Sequence, residues 1–312
     1  MVGAVTAPTS SGGAPTSCRE PGSPSSAVAG GEPDPRRAPD TGSTRLDGLR
    51  AVVTGATSGL GRAMADALLA AGASVAVAAR PGSRLRDAVE ALQAQGLAAY
   101  PLPMDVRDEE AVSSAAADLF HAWGGVDLVV NNAGIGMRAS NPRFFVEPRP
   151  FFEVTPDAFR DAVATNLTGY FLVARAFARH LAAQGTGRIV NITMNHATMR
   201  RRGFVPYGPS RAGAEALSLI MTEDLRPYGI AVNLLLPGGA TATGMIPDEL
   251  PSEASAALLP PEIMGPPIVF LASPAAEGIT GERIVACEWE RWLADHLPPG
   301  DRQPPAPPSG PS

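Results

Sequence analysis

Between about residue 50 and residue 290 the chain alternates two patterns of apolar residues. Short runs that are apolar at nearly every position predict strands covered on both faces: Ala51–Thr54, Ser74–Ala79, Ala98–Leu102, Leu128–Asn131, Arg188–Thr193, Ala231–Leu236 and Arg283–Cys287. Between them lie stretches whose apolar positions return at helical spacing. Leu60–Ala71, Arg84–Gln95, Glu109–Trp123, Pro156–His180, Tyr207–Arg226 and Glu262–Leu271 therefore predict amphipathic helices. Strands of the first kind joined by helices of the second imply an α/β fold, one parallel sheet with helices on both faces. Right-handed crossovers make that sheet doubly wound, and its ligands bind beyond the carboxyl ends of the strands.

The pattern stops at both ends. Residues 1–44 mix Pro, Gly, Ser and Ala with few large apolar side chains, so they cannot offset the entropy of ordering and are expected to be a disordered tail. A single domain over 45–293 and a second, Pro-rich tail over 294–312 complete the organisation. A chain of 312 residues, 45% of them hydrophobic, supports one good-sized core in that domain. A net charge of −6 gives no electrostatic reason to expect nucleic acid. No apolar run approaches a membrane span, and the N-terminus lacks the pattern of a secretory signal. Cys18 and Cys287 fall in a tail and a strand, which argues against a disulfide framework and fits a cytoplasmic protein. No lysine occurs, so every basic side chain is Arg or His, and no metal site is expected.

Candidate chemistry starts after the first strand, where Thr54-Gly55 leads through Gly59 and Gly61 into an alanine-rich helix. Glycines there let backbone approach a ligand closely, and the helix N-terminus aims free N–H groups at an anion such as a pyrophosphate. This spacing resembles the cofactor loop of the short-chain dehydrogenase/reductase family. Further landmarks follow in order: Asp105-Val106, Asn131-Asn132-Ala133-Gly134, Asn166 in Asn-Leu-Thr-Gly, Tyr207-x-x-x-Arg211 and Pro237-Gly238. The resemblance covers about residues 47–288. It implies a Rossmann-type fold, a nicotinamide dinucleotide, a carbonyl or alcohol substrate, and a homodimer or homotetramer. Gly55, Thr57, Ser58, Gly59, Leu60 and Gly61 would hold the pyrophosphate side, and Asp105 the adenine amino group; capping of the following helix by Asp105 is the other reading, and both can hold. Val106, Asn132, Ala133 and Gly134 would border the adenine ribose, with Asn and Gly serving the turn itself. Pro237, Gly238, Thr241 and Thr243 would hold the nicotinamide carboxamide.

The second strand ends Ala78-Ala79-Arg80, with Ala79 where NAD-preferring relatives carry Asp, and Arg84 one helical turn on. A guanidinium fork matches a phosphate, which favours NADP, with NAD as the other candidate. The alternative is that both arginines are solvated loop residues.

In the resembled family a tyrosine exchanges the proton, a lysine four residues on lowers its pKa and holds the ribose, a serine binds the substrate oxygen, and an asparagine supports a relay water. Tyr207 and Asn166 match. The lysine is Arg211, which still favours the phenolate by about one to three pKa units but with a planar fork in place of a compact ammonium. The serine position, thirteen residues before the tyrosine, is Met194, which donates no useful hydrogen bond. Thr193, Asn195 and His196 are its neighbours, and Asn195 is the expected oxyanion donor because an amide donates in any protonation state. Arg138, Arg143, Arg149 and Arg200-Arg201-Arg202 either receive an anionic substrate, such as a sugar acid, or are solvated rim residues. Residues 245–261 are expected to form a short lid. The expected activity is NADP-dependent hydride transfer with a carbonyl or alcohol. A dinucleotide-binding protein with little turnover stays open, as does an epimerase- or dehydratase-like reaction on the same scaffold.

Overall fold

A computed structural model describes residues 44–247 and 249–297. Cys18 and nearly all of the two expected tails lie outside the described residues. The first strand, β1 (Arg50–Thr54), takes its place in the sheet because its interior residues are apolar on both sides. Along it, Val53 faces a core with Val75 and Val77, whereas Val52 faces the opposite core with Ala76 and Ala78. This period of two, apolar on both faces, is what a parallel sheet between helix layers requires.

The remaining strands are β2 (Ser74–Ala79), β3 (Ala99–Pro103), β4 (Leu128–Asn131), β5 (Gly187–Ile192), β6 (Ile230–Leu236) and β7 (Arg283–Val285). They form one parallel sheet in the order β3-β2-β1-β4-β5-β6-β7. The chain winds outward from β1 to β3, then returns to place β4 on the other side of β1. The crevice between the ends of β1 and β4 is thus a topological switch point, where ligands of such sheets bind. One core lies under α1 (Gly59–Ala70) and α2 (Ser83–Gln93); the other lies under α3 (Glu109–Trp123). Asp108 caps α3, its Oδ1 accepting from the amides of Glu110 and Ala111 at 3.0 Å each, so the cap is Asp108 and not Asp105. Asp127, just before β4, accepts from Arg50 N, Nε and Nη2 at 2.8–3.0 Å and fastens the start of β1 to that of β4.

The long helix predicted over 156–180 is interrupted. α4 (Pro156–Val163) passes through a π-helical turn, Ala164–Thr168, into α5 (Gly169–Gln184). Gly169 sits where a Cβ would come within 2.9 Å of Val106, so this close crossing needs glycine. A short α6 (His196–Met199) precedes α7 (Tyr207–Leu225). After β6 come α8 (Ser252–Ala256) and α9 (Gly265–Ala272). β7 ends at Val285, two residues early, and α10 (Trp289–His296) runs through the first residues of the expected C-terminal tail. Trp289 and Trp292 anchor α10 by stacking on each other at 5.4 Å and packing against Phe270. Among the described residues no helix is long and apolar enough to cross a membrane, and no three His, Cys, Asp or Glu side chains converge as metal ligands.

Candidate active site

A cavity of about 1790 Å³ runs across the carboxyl ends of the strands. It exceeds the roughly 300–1,000 Å³ of a site for one drug-sized ligand, which leaves room for a dinucleotide and a substrate together. At one end lies the glycine turn. Gly55 and Gly59 adopt φ of +66° and +57°, where a side chain is disfavoured. A Cβ on Gly55 would lie 2.9 Å from the backbone of Ala133, and one on Gly61 would strike the Asn132 amide. The turn is held from below: Thr54 Oγ1 accepts from the amides of Asn132 (2.9 Å) and Ala133 (3.0 Å), and Asn132 Nδ2 donates to Thr54 O at 2.8 Å. Asn132 and Ala133 thus brace the loop, the structural part of the role expected for this turn. Ser58 flanks α1 with its hydroxyl unused by the helix, and it lines the cavity with Thr57 and Leu60.

A nicotinamide dinucleotide fits these residues. Arg80, Arg84, Asp105, Val106 and Arg107 all line the adjoining wall, with Ala79 between them and no acid at the end of β2. Arg107 clasps Asp105, Nε to Oδ1 at 3.0 Å and Nη2 to Oδ2 at 2.7 Å. Hydrogen bonding to Arg107 holds the Asp105 carboxyl below its ordinary pKa despite partial burial. Both carboxylate oxygens therefore already have a partner.

The other end carries Tyr207, the first residue of α7, beside Met194 and the apolar cluster of Met137, Phe144 and Phe204. Arg211 is 3% exposed, with its guanidinium carbon 5.3 Å from the ring centroids of both Tyr207 and Tyr170. Its Nη1 donates to Tyr170 Oη at 2.5 Å and to Ile192 O at 3.0 Å. Nη2 lies against Gly134, in the space a Cβ would need, so Gly134 is glycine to admit the guanidinium. Burial pushes the Tyr170 hydroxyl above its ordinary pKa, with Arg211 opposing, and Tyr170 stays a phenol. Burial also works against the charge on Arg211. Its attraction to the oxygens of Tyr170 and Tyr207 outweighs that, so the guanidinium stays charged.

Asn166 lies in the π-helical turn, fully buried. Its Oδ1 accepts from Ile135 N at 2.8 Å, and its Nδ2 donates to Ile135 O and Ser210 Oγ at 3.0 Å each. Ser210 in turn donates to Tyr207 O at 2.8 Å. Asn166 therefore ties the loop after β4 to the helix turn that carries Tyr207.

Beyond β5, Asn195 Nδ2 donates to Gly238 O at 2.7 Å, so the amide expected at the reacting oxygen joins the loops after β5 and β6. Gly238 has φ +94° and a Cβ there would run into Val285 and Cys287. Pro237, Thr241 and Thr243 line the cavity, and Thr243 packs 3.3 Å from where a Gly59 Cβ would stand. The arginine set divides. Arg138 Nη1 donates to Ile246 O at 3.1 Å, linking the loop after β4 to the segment expected to be a lid, and Arg143 pairs with Glu147 at 3.0 Å and Glu249 at 3.5 Å. Arg201 stacks on Phe145 and Phe204 at 5.5 and 5.3 Å, and with Arg200 faces the cavity.

Three residues escaped the sequence: Tyr170, Glu215 and Arg283. Glu215 follows Arg211 by four positions on the helix face of Tyr207, a spacing that marks it for the same wall. Arg283 reaches this wall from β7, a placement no local pattern encodes.

Comparison with known proteins accords with this geometry. A family model described as short chain dehydrogenase matches residues 50–253. A gluconate 5-dehydrogenase of Gluconobacter oxydans (strain 621H) is 34% identical over 193 residues, covering 62% of this chain and 72% of that protein. A 5-keto-D-gluconate 5-reductase of Escherichia coli (strain K12) is 29% identical over 250 residues, covering 77% of this chain and 94% of that protein. Among solved structures, a gluconate 5-dehydrogenase from Burkholderia cenocepacia J2315 in complex with NADP and tartrate superposes with a TM-score of 0.70 at 28% identity, covering 80% of this chain and 98% of that one. The chain belongs to the short chain dehydrogenase family and is an NAD(P)-dependent oxidoreductase.

Proposed function

We propose that the protein is an NADP-dependent reductase or dehydrogenase of a carbonyl/alcohol pair on an anionic, sugar-acid-like substrate. The observation that carries this reading is the continuity of one cavity from Arg80 and the Gly55–Gly61 turn, past Tyr207 over Arg211, to Arg200 and Arg201. Arg80 and Arg84 present guanidinium groups where the 2′-phosphate of NADP would lie. Arg201, its guanidinium carbon lying over the rings of Phe145 and Phe204, presents a cation to a substrate carboxylate. Relatives named for gluconate and 5-keto-gluconate, and a neighbour solved with NADP and tartrate, support both halves of this reading.

NADPH bound in the cavity supplies the hydride for reduction, and its oxidised form accepts it in the reverse direction. Tyr207 gives its phenolic proton to the carbonyl oxygen as negative charge builds there, and takes it back from the alcohol in the reverse reaction. Arg211 keeps a fixed positive charge beneath the phenol that gives up the proton. Asn166 and Ser210 hold the first turn of α7, and with it the Tyr207 backbone, in place. Phe171 on α5 with Leu219 and Ile220 on α7 are large exposed apolar side chains on outer helix faces, through which we infer self-association into a homodimer or homotetramer.

A dinucleotide-binding protein with little turnover is the second reading, and Met194 on the cavity wall favours it. Steady-state assays with NADPH and NADH against 5-keto-D-gluconate and neutral ketones separate the two. NADPH-preferring reduction of the sugar acid is expected; cofactor binding without turnover of any of them would overturn the enzymatic reading.

A further inference from the structure

Glu215 is a buried carboxylate beside the substrate end of the cavity, and the mechanism above gives it no task. Its Oε1 accepts from His196 Nε2 at 2.7 Å and from Arg283 Nε at 2.9 Å, and its Oε2 accepts from Thr193 Oγ1 at 2.9 Å. Arg283 Nη2 also donates to Met194 O at 2.9 Å. One carboxylate and one guanidinium thus grip Thr193, Met194 and His196, the segment where a polar group is missing. Arg283 offsets the charge of Glu215, which keeps the buried carboxylate from being left unpaired.

The exposures point the same way. The Glu215 side chain is 10% exposed and that of Arg283 18%, whereas that of His196 is 44% exposed and lines the cavity. His196 therefore bridges a buried carboxylate and the cavity that Tyr207 also lines. With Nε2 carrying the hydrogen bond to Glu215, the ring is fixed in orientation, and Nδ1 is the nitrogen left for a ligand. Asn195, by contrast, has its amide nitrogen on Gly238 O.

We propose that His196, oriented by Glu215, contacts the reacting oxygen of the substrate in place of the hydroxyl that Met194 does not provide; this rests on the oxidoreductase reading above. In the reducing direction the carbonyl carbon gains the hydride, the C=O π electrons move onto oxygen, and Tyr207 delivers the proton to that oxygen. With Nε2–H on Glu215, the contact requires a second N–H at Nδ1, which donates to the oxygen and is kept by the ring, so His196 stabilises charge without changing the proton count. Glu215 is a positioning residue, acting only through His196.

The test uses the full chain with NADPH and 5-keto-D-gluconate. His196→Ala lowers kcat by about 10²-fold, the scale of one lost oxyanion donor, with NADPH affinity unchanged. His196→Gln, which keeps an amide donor, retains more activity than His196→Ala. Adding Met194→Ser to His196→Ala restores a large part of the loss. Glu215→Gln lowers kcat in the native background and adds nothing in the His196→Ala background, the non-additivity of two residues acting as one unit. Native kcat in His196→Ala, or equal losses from Glu215→Gln in both backgrounds, overturns the proposal while the oxidoreductase reading stands. A native protein that binds NADPH and reduces no carbonyl overturns both. If Glu215→Gln loses its cooperative melt, the Ala and Gln variants of His196 decide the matter alone.

Discussion

The guanidinium carbon of Arg211 lies 5.3 Å from the centroid of the Tyr207 ring. A buried cation held this close sets a fixed positive charge beside the side chain that exchanges the proton. The contact depends on two further residues. Tyr170 accepts from Nη1 on one side, and Gly134 leaves room for Nη2 on the other. Arginine can stand at this position because the surrounding wall is shaped for a planar fork.

Gly134→Ala tests that shape. Its Cβ takes the space of Nη2, so Arg211 must shift or the loop must move. Overpacking of this kind costs about 1–3 kcal/mol, and kcat should fall although no catalytic side chain has changed. Thermal melts beside steady-state rates check it, and a fully active, fully stable variant contradicts the packing argument.

Tyr170→Phe removes one acceptor from a buried charge. The loss should be about 1–3 kcal/mol of stability, the scale for a buried group deprived of a partner, read from urea unfolding. Unchanged stability means that Ile192 O alone satisfies Nη1.

Much of the architecture was legible in the chain, for reasons that also mark where legibility ended. All seven strands were foreseen within a residue or two because apolar runs buried on both faces are a local signal, as Val52 and Val53 show. The glycine turn was legible because close backbone approach at Gly55 and Gly61 leaves no other residue type. The π-helical turn was not, since it depends on Asn166 bonding to Ile135, 31 residues away, and on Val106 against Gly169. α6 and α8 have 4 and 5 residues, too few to show a helical period. The roles of Asp127 and Glu215 come from Arg50 and Arg283, partners 77 and 68 positions distant, which no sequence window contains. Arg138, Arg143 and Arg201 share one pair of readings in the sequence, anion receivers or solvated rim residues, and only the fold shows that the first two have partners within the protein.

Arg80→Asp puts a carboxylate where a phosphate is expected. NADPH should bind about tenfold or more weakly relative to NADH, a shift of about 1.4 kcal/mol per decade. Fluorescence titration with both dinucleotides gives the ratio, and an unchanged preference refutes NADP selection by this arginine.

Arg201→Met keeps apolar contact with Phe145 and Phe204 while removing the charge. The KM for 5-keto-D-gluconate should rise about tenfold, the loss of one charge-assisted contact, with little change for a neutral ketone. A parallel rise for both substrates shows that the residue only packs.

The central claim is that Tyr207 delivers the proton. A single-turnover experiment, with NADPH pre-bound and the carbonyl substrate added, measures this most directly in the native protein and in Tyr207→Phe. The native chain should oxidise its bound NADPH, and Tyr207→Phe should do so about 10²–10⁴-fold more slowly with NADPH affinity intact. Equal rates in the two proteins contradict the account.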